Sequence, residues 1–453
     1  MGNEVDVVVV GLGPGGESVA TELANAGLEV VGIDKHLVGG ECPYYGCIPS
    51  KMMIRAANVL QEGRRIPALA GTSTVSADWS IVAKRIADEA TDHWDDKVAV
   101  DRLEEAGVRF VRGVGRLDGP RTVVVDADTF TARKGVVLNT GTEPGVPAID
   151  GLADTPYWTN RDAVQLTEIP GSLIVLGGGA IGLEMAQAFS RFGVAVTVVE
   201  VAPRILSPEE PEASKLIGDV FGREGIQVLA DATVREISYA DGRFILDLDG
   251  QTLTADKLLV AAGRRPNLSD LGLDTVALDP DARSLDTDEH LRAAAGLWAV
   301  GDITGKGAYT HVSMYQAAIV VRDILGQDGP WADYRAVPRV TFTDPEVGSV
   351  GLSERQAREA GLSVRVGLVD LTTSARGWIH QEGNEGFIKV IEDADRGVLV
   401  GACVAGPDGG EVLSALAVAV HGEVSTSRLR SMIYAYPTFH RAIEDALKAL
   451  SPT

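Results

Sequence analysis

Apolar residues fall in short runs, and the spaces between them carry helical periodicity. Val5 to Val10 is apolar except for Asp6 and suits a strand buried on both faces of a parallel sheet. It leads into Gly11-Leu12-Gly13-Pro14-Gly15-Gly16 and an apolar-periodic helix from Ser18 to Ala26, with Gly27 suited to the helix end. Leu28 to Ile33 is the next strand, closed by Asp34. The same pattern returns at Leu173 to Leu176, Gly177-Gly178-Gly179-Ala180-Ile181-Gly182, a helix to roughly Phe192, Gly193, Val194 to Val199 and Glu200. In each copy the acid lies 23 residues after the first glycine.

This pattern has a nucleotide chemistry. The glycines (Gly11, Gly13 and Gly16, then Gly177, Gly179 and Gly182) permit a tight turn and close backbone approach to a pyrophosphate, and the helix N-terminus supplies N–H groups and a positive dipole end. Asp34 and Glu200 stand where a carboxylate binds ribose hydroxyls. One such turn alone could be an unliganded strand-to-helix turn. Two copies in full context imply two nucleotides.

Composition narrows the class. A chain of 453 residues calls for more than one domain, because single cores stop growing near roughly 250–300 residues. With 41 basic and 64 acidic residues the net charge is −23, which argues against nucleic acid and anionic membrane as partners. There is no apolar run of eighteen residues, no signal-type N-terminus and no myristoylation pattern, so the cytoplasm is the expected compartment.

Two of the three cysteines sit in Gly39-Gly40-Glu41-Cys42-Pro43-Tyr44-Tyr45-Gly46-Cys47-Ile48-Pro49-Ser50-Lys51, just after the first nucleotide unit. Such a loop can close into a disulfide, and a thiolate released from it can attack another disulfide. A zinc site would need about four ligands, and Cys42, Cys47 and His36 fall short. Two inert buried thiols remain an alternative, although the surrounding Gly, Pro and Tyr argue for a loop. A structural disulfide is disfavoured by the low cysteine count. The pattern G-G-x-C-x4-C-[IV]-P-[ST]-K resembles the redox loop of the pyridine nucleotide–disulfide oxidoreductases, among them dihydrolipoamide dehydrogenase, glutathione reductase and mercuric reductase.

The resemblance extends over nearly the whole chain. Leu138 to Gly141 resembles the strand leaving the flavin domain, Gly263-Arg264-Arg265-Pro266-Asn267 the family's [AT]-x-G-R-x-P-N segment, and Leu297 to Asp302 the strand whose terminal Gly301-Asp302 holds the flavin. It implies an α/β fold of two Rossmann-like nucleotide-binding domains plus a C-terminal α+β dimerisation domain. The FAD-binding domain would comprise residues 1–150 and 268–335, the NAD(P)-binding domain 151–267, and the dimerisation domain 336–453. FAD, NAD(P)H and a homodimer follow as expectations. NADH is expected over NADPH because Glu200 would repel a 2′-phosphate, with Arg204 the nearest cation that could recruit one.

By the same resemblance, hydride passes from NAD(P)H to the flavin, which opens the Cys42–Cys47 disulfide. Cys47 faces the flavin and Cys42 meets the substrate. Lys51 and Glu184 form an ion pair beside the flavin N5. On their own, these two could be a solvated lysine and a surface carboxylate. Cofactor contacts are expected from Gly11, Gly13, Gly16, Asp34, Lys51, Gly141, Gly177, Gly179, Gly182, Glu200, Gly263, Arg264, Gly301 and Asp302. No resident metal is expected, and Cys403 reads as a structural thiol in an apolar strand.

One departure stands out. Disulfide-reducing members carry H-x-H-P-T-x-x-E near the C-terminus, where the His shuttles the thiol proton and the Glu orients it. This chain reads Tyr434-Ala435-Tyr436-Pro437-Thr438-Phe439-His440-Arg441, with Tyr436 at the His position and Arg441 at the Glu position. A tyrosine, with a pKa near 10 against about 6.5 for histidine, is a poor shuttle at neutral pH. His440 could substitute or be a surface imidazole, and Glu444 reads as solvated helix surface. Tyr at this position resembles mercuric reductase, whose C-terminal Cys pair is not found here, and the soluble transhydrogenase, which usually lacks the Cys pair present here. The expectation is an FAD-dependent NAD(P)H oxidoreductase with an unusual small-molecule acceptor: a quinone, a metal ion or an atypical disulfide. The alternatives are a dihydrolipoamide or other small-disulfide reductase with a different acid–base group, and a low-turnover flavin-binding sensor or subunit.

Overall fold

The computed structural model describes residues 3–452. The chain opens with strand β1 (Asn3–Val10), helix α1 (Pro14–Asn25) and strand β2 (Val30–Asp34), followed by helices α2 (Glu41–Tyr44) and α3 (Cys47–Leu69). The second copy is β3 (Ser172–Leu176), α4 (Ala180–Arg191) and β4 (Ala195–Val199), and later comes α5 (Thr310–Leu325). Helix α1 begins four residues earlier than its apolar periodicity suggests. Pro14 suits the first helical position, where a missing N–H costs nothing.

The backbone divides into two compact units. The first comprises residues 1–49, 84–145 and 264–333, the second residues 50–83, 146–263 and 334–453. Residues 50–83 therefore cluster with the second unit.

In the first unit an eight-stranded sheet runs Arg292–Ala294, Leu297–Ala299, Asp128–Leu138, β1, β2 and Arg109–Arg112, with two short strands off this path. The pairs around β1 are parallel. Alternate residues of β1 face opposite cores, as the two-residue strand period requires. Val7 and Val9 pack with Val19, Leu23, Val320 and Ile324 of α1 and α5, whereas Val8 and Val10 pack with Val31, Phe130 and Leu273. The polar interruption at Asp6 falls on a register shift, and its carboxylate accepts from Arg133 and from Glu29 N.

In the second unit a four-stranded parallel sheet runs Gln227–Leu229, β4, β3 and Lys257–Val260. A three-stranded antiparallel sheet follows α4 and β4 in sequence. The C-terminal part is a six-stranded sheet covered by helices Gly409–His421 and Ala442–Lys448, with Val350, Val390, Val404, Leu413, Leu416 and Ile443 in its core. Among the described residues no helix is long and apolar enough to cross a membrane.

Candidate active site

The first Gly-rich turn is built around Gly11 and Asn139. Gly11 has φ 91°, and a Cβ there would sit 2.3 Å from Asn139 O. The Asn139 side chain accepts from Gly16 N at 2.8 Å and donates to Val300 O at 2.8 Å. Gly13 at the N-cap of α1 has no side chain to cap the helix, Pro14 carries no N–H and Gly16 N is held by Asn139, so the turn offers an anion the positive dipole end of the helix. Asp34 accepts from Leu12 N and His36 N, each at 2.7 Å. Burial raises its pKa despite these donors.

The cysteine loop is laid directly on this turn. Gly39 N donates to Leu12 O at 2.7 Å, and a Cβ on Gly40 would come 3.0 Å from Gly13 Cα. Cys42 lies on α2 and is half-buried, and Cys47 opens α3 and is exposed. A Cβ on Gly46 would meet Glu41 O at 3.1 Å and Cys42 Cα at 3.6 Å. The backbone beside Cys47 is thus folded against that of Cys42, as a bridge across the loop requires. Cys47 Sγ lies 3.4 Å from Thr310 Oγ1 at the start of α5, where the helix dipole favours negative charge.

A polar chain leads from the same loop to Asp302. Arg264 pairs with Glu41 at 3.4 Å and donates to Thr142 Oγ1 at 2.6 Å, and Thr142 Oγ1 donates to Asp302 Oδ2 at 2.6 Å. Gly301 (φ 82°) donates to the fully buried Gln316 at 2.6 Å, and Gly141 has φ 63°. Sequence reasoning missed Asn139, Thr142, Thr310 and Gln316. Asn139 carried a usable signal, being the polar residue that directly follows an apolar parallel strand, where ligands of such sheets bind.

The second turn repeats the design within its own unit. Gly177 (φ 116°) would place a Cβ 2.4 Å from Ala261 O, and one on Gly182 would meet Gly177 O at 2.1 Å. A Cβ on Gly179 or Gly263 would meet nothing within 4 Å, so the space at the uncapped start of α4 is open. Glu200 accepts from Gly178 N at 2.6 Å and Ala202 N at 2.7 Å. Arg204 turns inward to its own loop and donates to Leu206 O, Ser207 O, Glu209 O and Ser214 Oγ.

Lys51 and Glu184 meet at 2.8 Å in the second unit. Glu184 is 5% exposed, and its other oxygen accepts from Phe342 N at 2.8 Å; Lys51 Nζ stands 4.7 Å from the Phe342 ring centroid. Glu184 is therefore no surface carboxylate, whereas the Lys51 side chain is paired and 36% exposed.

Near the C-terminus, Tyr436 is 73% exposed and lines a cleft of about 180 Å³ with Ser374, Arg376, Thr438 and Arg441. His440 is half-buried, its ring 5.3 Å from that of Tyr434. Arg441 pairs with Glu444, which also binds Lys448 at 2.7 Å, so Glu444 is engaged rather than solvated. Among the described residues, no group of three or more His, Cys, Asp or Glu side chains is arranged to hold a metal ion.

Residues 5–318 match the pyridine nucleotide-disulphide oxidoreductase family, and residues 337–447 match that family's dimerisation domain. The chain belongs to this family. Its members are enzymes that use FAD and NAD(P)H, and both Gly-rich turns fit such nucleotides: each helix has a glycine at its N-cap, and each turn is closed by a carboxylate. The chain is 33% identical over 457 residues to a dihydrolipoyl dehydrogenase of Chlorobaculum tepidum, covering 98% of this chain and 96% of that one. It is 30% identical over 466 residues to a mercuric reductase of Acidithiobacillus ferrooxidans, covering 99% and 83%. Among solved structures it resembles the Cu(II) complex of the HOCl-induced flavoprotein disulfide reductase RclA from Escherichia coli, with TM-score 0.85, 26% identity and coverage of 98% and 99%.

Proposed function

We propose that this protein is a homodimeric, FAD-dependent NADH oxidoreductase with a redox-active Cys42–Cys47 disulfide. Its oxidant would be one that needs no histidine proton shuttle. We assign residues 1–150 and 268–335 to flavin binding, 151–267 to the nicotinamide nucleotide and 336–453 to the subunit interface.

Tyr436 carries this reading. It stands in the shuttle position, exposed, and the neighbouring Arg441 is paired with Glu444 rather than available to orient an imidazole. Thiol–disulfide exchange at Cys42 requires a proton to be moved. Losing a positioned acid–base group typically costs roughly 10²–10⁴ in rate. An acceptor that takes electrons alone escapes that cost. Relatives named mercuric reductase, and a similar flavoprotein solved with Cu(II), favour a metal ion among such acceptors. In balanced form, NADH and two Cu(II) would give NAD⁺, H⁺ and two Cu(I).

Bound FAD would supply the two-electron relay between nicotinamide and disulfide. The protein's own residues would hold the reactants. Gly11, Gly13, Gly16, Asp34, Gly141, Gly301 and Asp302 would seat the flavin nucleotide, with Arg264 reaching Asp302 through Thr142 from the end of the adjoining segment. Gly177, Gly179, Gly182, Glu200 and Gly263 would seat NADH. Lys51, fixed by Glu184, would place a cation beside the flavin N5, and Cys47 would face the flavin while Cys42 meets the acceptor.

A second reading is a small-disulfide reductase such as dihydrolipoamide dehydrogenase. The half-buried His440 and the 33% identical dihydrolipoyl dehydrogenase favour it. An acceptor screen with NADH and NADPH against Cu(II), Hg(II), quinones and lipoamide, run on the wild type beside Cys42→Ser, decides between them. Turnover with metal ions or quinones well above turnover with lipoamide supports the first reading, and the reverse order supports the second.

A further inference from the structure

Beneath the Lys51–Glu184 pair lies a polar ladder that the proposed chemistry does not use. Helix α4 presents Glu184, Gln187 and Arg191 at spacings of three and four, so all three share one face. They are 5%, 3% and 2% exposed, and buried polar groups of this kind are costly unless fully partnered. Helix α3 presents Lys51, Asn58 and Arg65 at intervals of seven, again along one face.

Both faces converge on the segment Phe342–Asp344. Gln187 accepts from Asp344 N at 2.8 Å and donates to Asp344 O at 2.9 Å, holding that backbone like a paired strand. Arg191 donates to Asp344 Oδ2 at 2.9 Å, to both oxygens of Glu224 and to Asn58 Oδ1 at 2.6 Å. Arg65 reaches the same Asp344 Oδ2 from α3 at 2.9 Å. The segment cannot shift without breaking several buried bonds. Its fixed position aims Phe342 N at one oxygen of Glu184 and leaves the other for Lys51.

We propose that Asp344, clamped by Gln187 and Arg191, is a positioning residue that sets the Lys51–Glu184 pair and through it the properties of the flavin. This rests on the reading of Lys51 as the cation beside the flavin N5. Loosening the clamp frees Phe342 N. Glu184 then loses a donor that fixes its rotamer, and the Lys51 ammonium loses its aim. A cation beside the flavin stabilises the electron-rich reduced form. Misplacing it should make the flavin potential more negative.

The experiment is a double-variant cycle of Asp344→Asn and Lys51→Ala on the FAD-loaded protein. It reads the flavin midpoint potential and the rate of flavin reduction at saturating NADH. Asp344→Asn should retain FAD, shift the potential negative and slow reduction about 10-fold, since small misplacements near a reacting centre are expensive. The apparent Kd for NADH should stay within about twofold, because uniform binding is untouched. The double variant should be no worse than Lys51→Ala alone, the signature of two residues acting through one interaction. Should Asp344→Asn fail to fold, Gln187→Ala, which leaves every charge in place, takes its part in the cycle. Additive losses would overturn the proposal, as would wild-type potential and rate in a folded Asp344→Asn. If Lys51→Ala itself leaves the potential unchanged, the reading of Lys51 beside the flavin fails and the proposal with it. If only Asp344→Asn is silent, the positioning role alone fails.

Discussion

Asp34 and Glu200 hold their Gly-rich turns in the same way, 166 residues apart in the chain. One oxygen of each accepts from the residue after the first glycine, Leu12 N at 2.7 Å or Gly178 N at 2.6 Å. The other accepts from the residue two positions beyond the acid itself, His36 N at 2.7 Å or Ala202 N at 2.7 Å. Each carboxylate therefore ties the turn to the end of the following strand, which fixes where a ribose would lie. The two nucleotide units match in hydrogen bonding as well as in spacing.

This geometry bears on coenzyme choice. The Arg204 guanidinium, the nearest cation in sequence, is engaged by three carbonyls of its own loop and by Ser214 Oγ on the following helix rather than turned to meet a phosphate. NADH should be preferred over NADPH in kcat/KM. Glu200→Ala should narrow the ratio by relieving repulsion of the 2′-phosphate, although the lost bonds to Gly178 and Ala202 will raise KM for both. Steady-state kinetics with both coenzymes checks this, and a wild-type preference for NADPH would contradict it.

Gly11 and Gly27 separate backbone conformation from close approach. Their φ angles are similar, 91° and 87°, but a Cβ on Gly11 would meet Asn139 O at 2.3 Å, whereas one on Gly27 would meet nothing within 4 Å. Gly27→Ala should cost only the left-handed backbone term, about 1–2 kcal/mol. Gly11→Ala adds overlap with rigid backbone and should cost about 3 kcal/mol or more and lose FAD. Urea unfolding and the flavin absorbance of the purified variants provide the measurement; equal costs would refute the distinction.

Lys389 lies in a buried charge cluster of the second unit. Its ammonium meets Glu210, Glu212 and Glu354 at 2.8, 2.9 and 2.8 Å. Burial alone would lower its pKa, but the three carboxylates outweigh this and hold it well above the usual 10.5. Burial alone would raise that of Glu354, but Lys389 and Arg358 bring it below 4.5. The stability from Lys389 is fully present below pH 10.5 and is lost as pH rises through its raised value. That from Glu354 is present above pH 4.5 and is lost as pH falls through its lowered value. Lys389→Met, which strands the buried Glu210, should cost about 3–5 kcal/mol near neutrality. Its stability profile should also be flatter at both extremes, as urea unfolding across pH would show. An equally steep profile in the variant would count against the cluster as the source.

The three cysteines should separate by reactivity. Cys403 is completely buried, and desolvation pushes its thiol up to about 12. Alkylation of the reduced native protein at pH 8, read by mass spectrometry, should modify Cys42 and Cys47 and spare Cys403 until unfolding. Early labelling of Cys403 would show that its strand opens readily.

The nucleotide units were legible because buried parallel strands and glycine turns leave a strict local pattern. The cysteine loop was legible because its residue types are rare and closely spaced. What stayed hidden depends on distant partners. Nothing near Asn139 announces that it holds Gly16 from 123 residues away. Nothing near Asp344 announces that α3 and α4 both converge on it. Glu444 read as solvated because its run looks polar, yet Arg441 and Lys448, three and four residues away, enclose it. Sequence shows the charge that makes Arg204 a candidate phosphate ligand but not the loop carbonyls that occupy it.

The two half-reactions of the wild type can be compared in a stopped-flow instrument at pH 7. Flavin reduction by NADH needs neither Tyr436 nor His440, whereas reoxidation by a disulfide needs a proton moved at Cys42. Flavin reduction should be fast and disulfide turnover slower by roughly 10²-fold or more, the span expected for a missing acid–base group. Tyr436→His should raise disulfide turnover more than turnover with quinones or metal ions. Wild-type disulfide turnover that keeps pace with flavin reduction would rule out a missing proton shuttle and place this chain among the ordinary disulfide reductases.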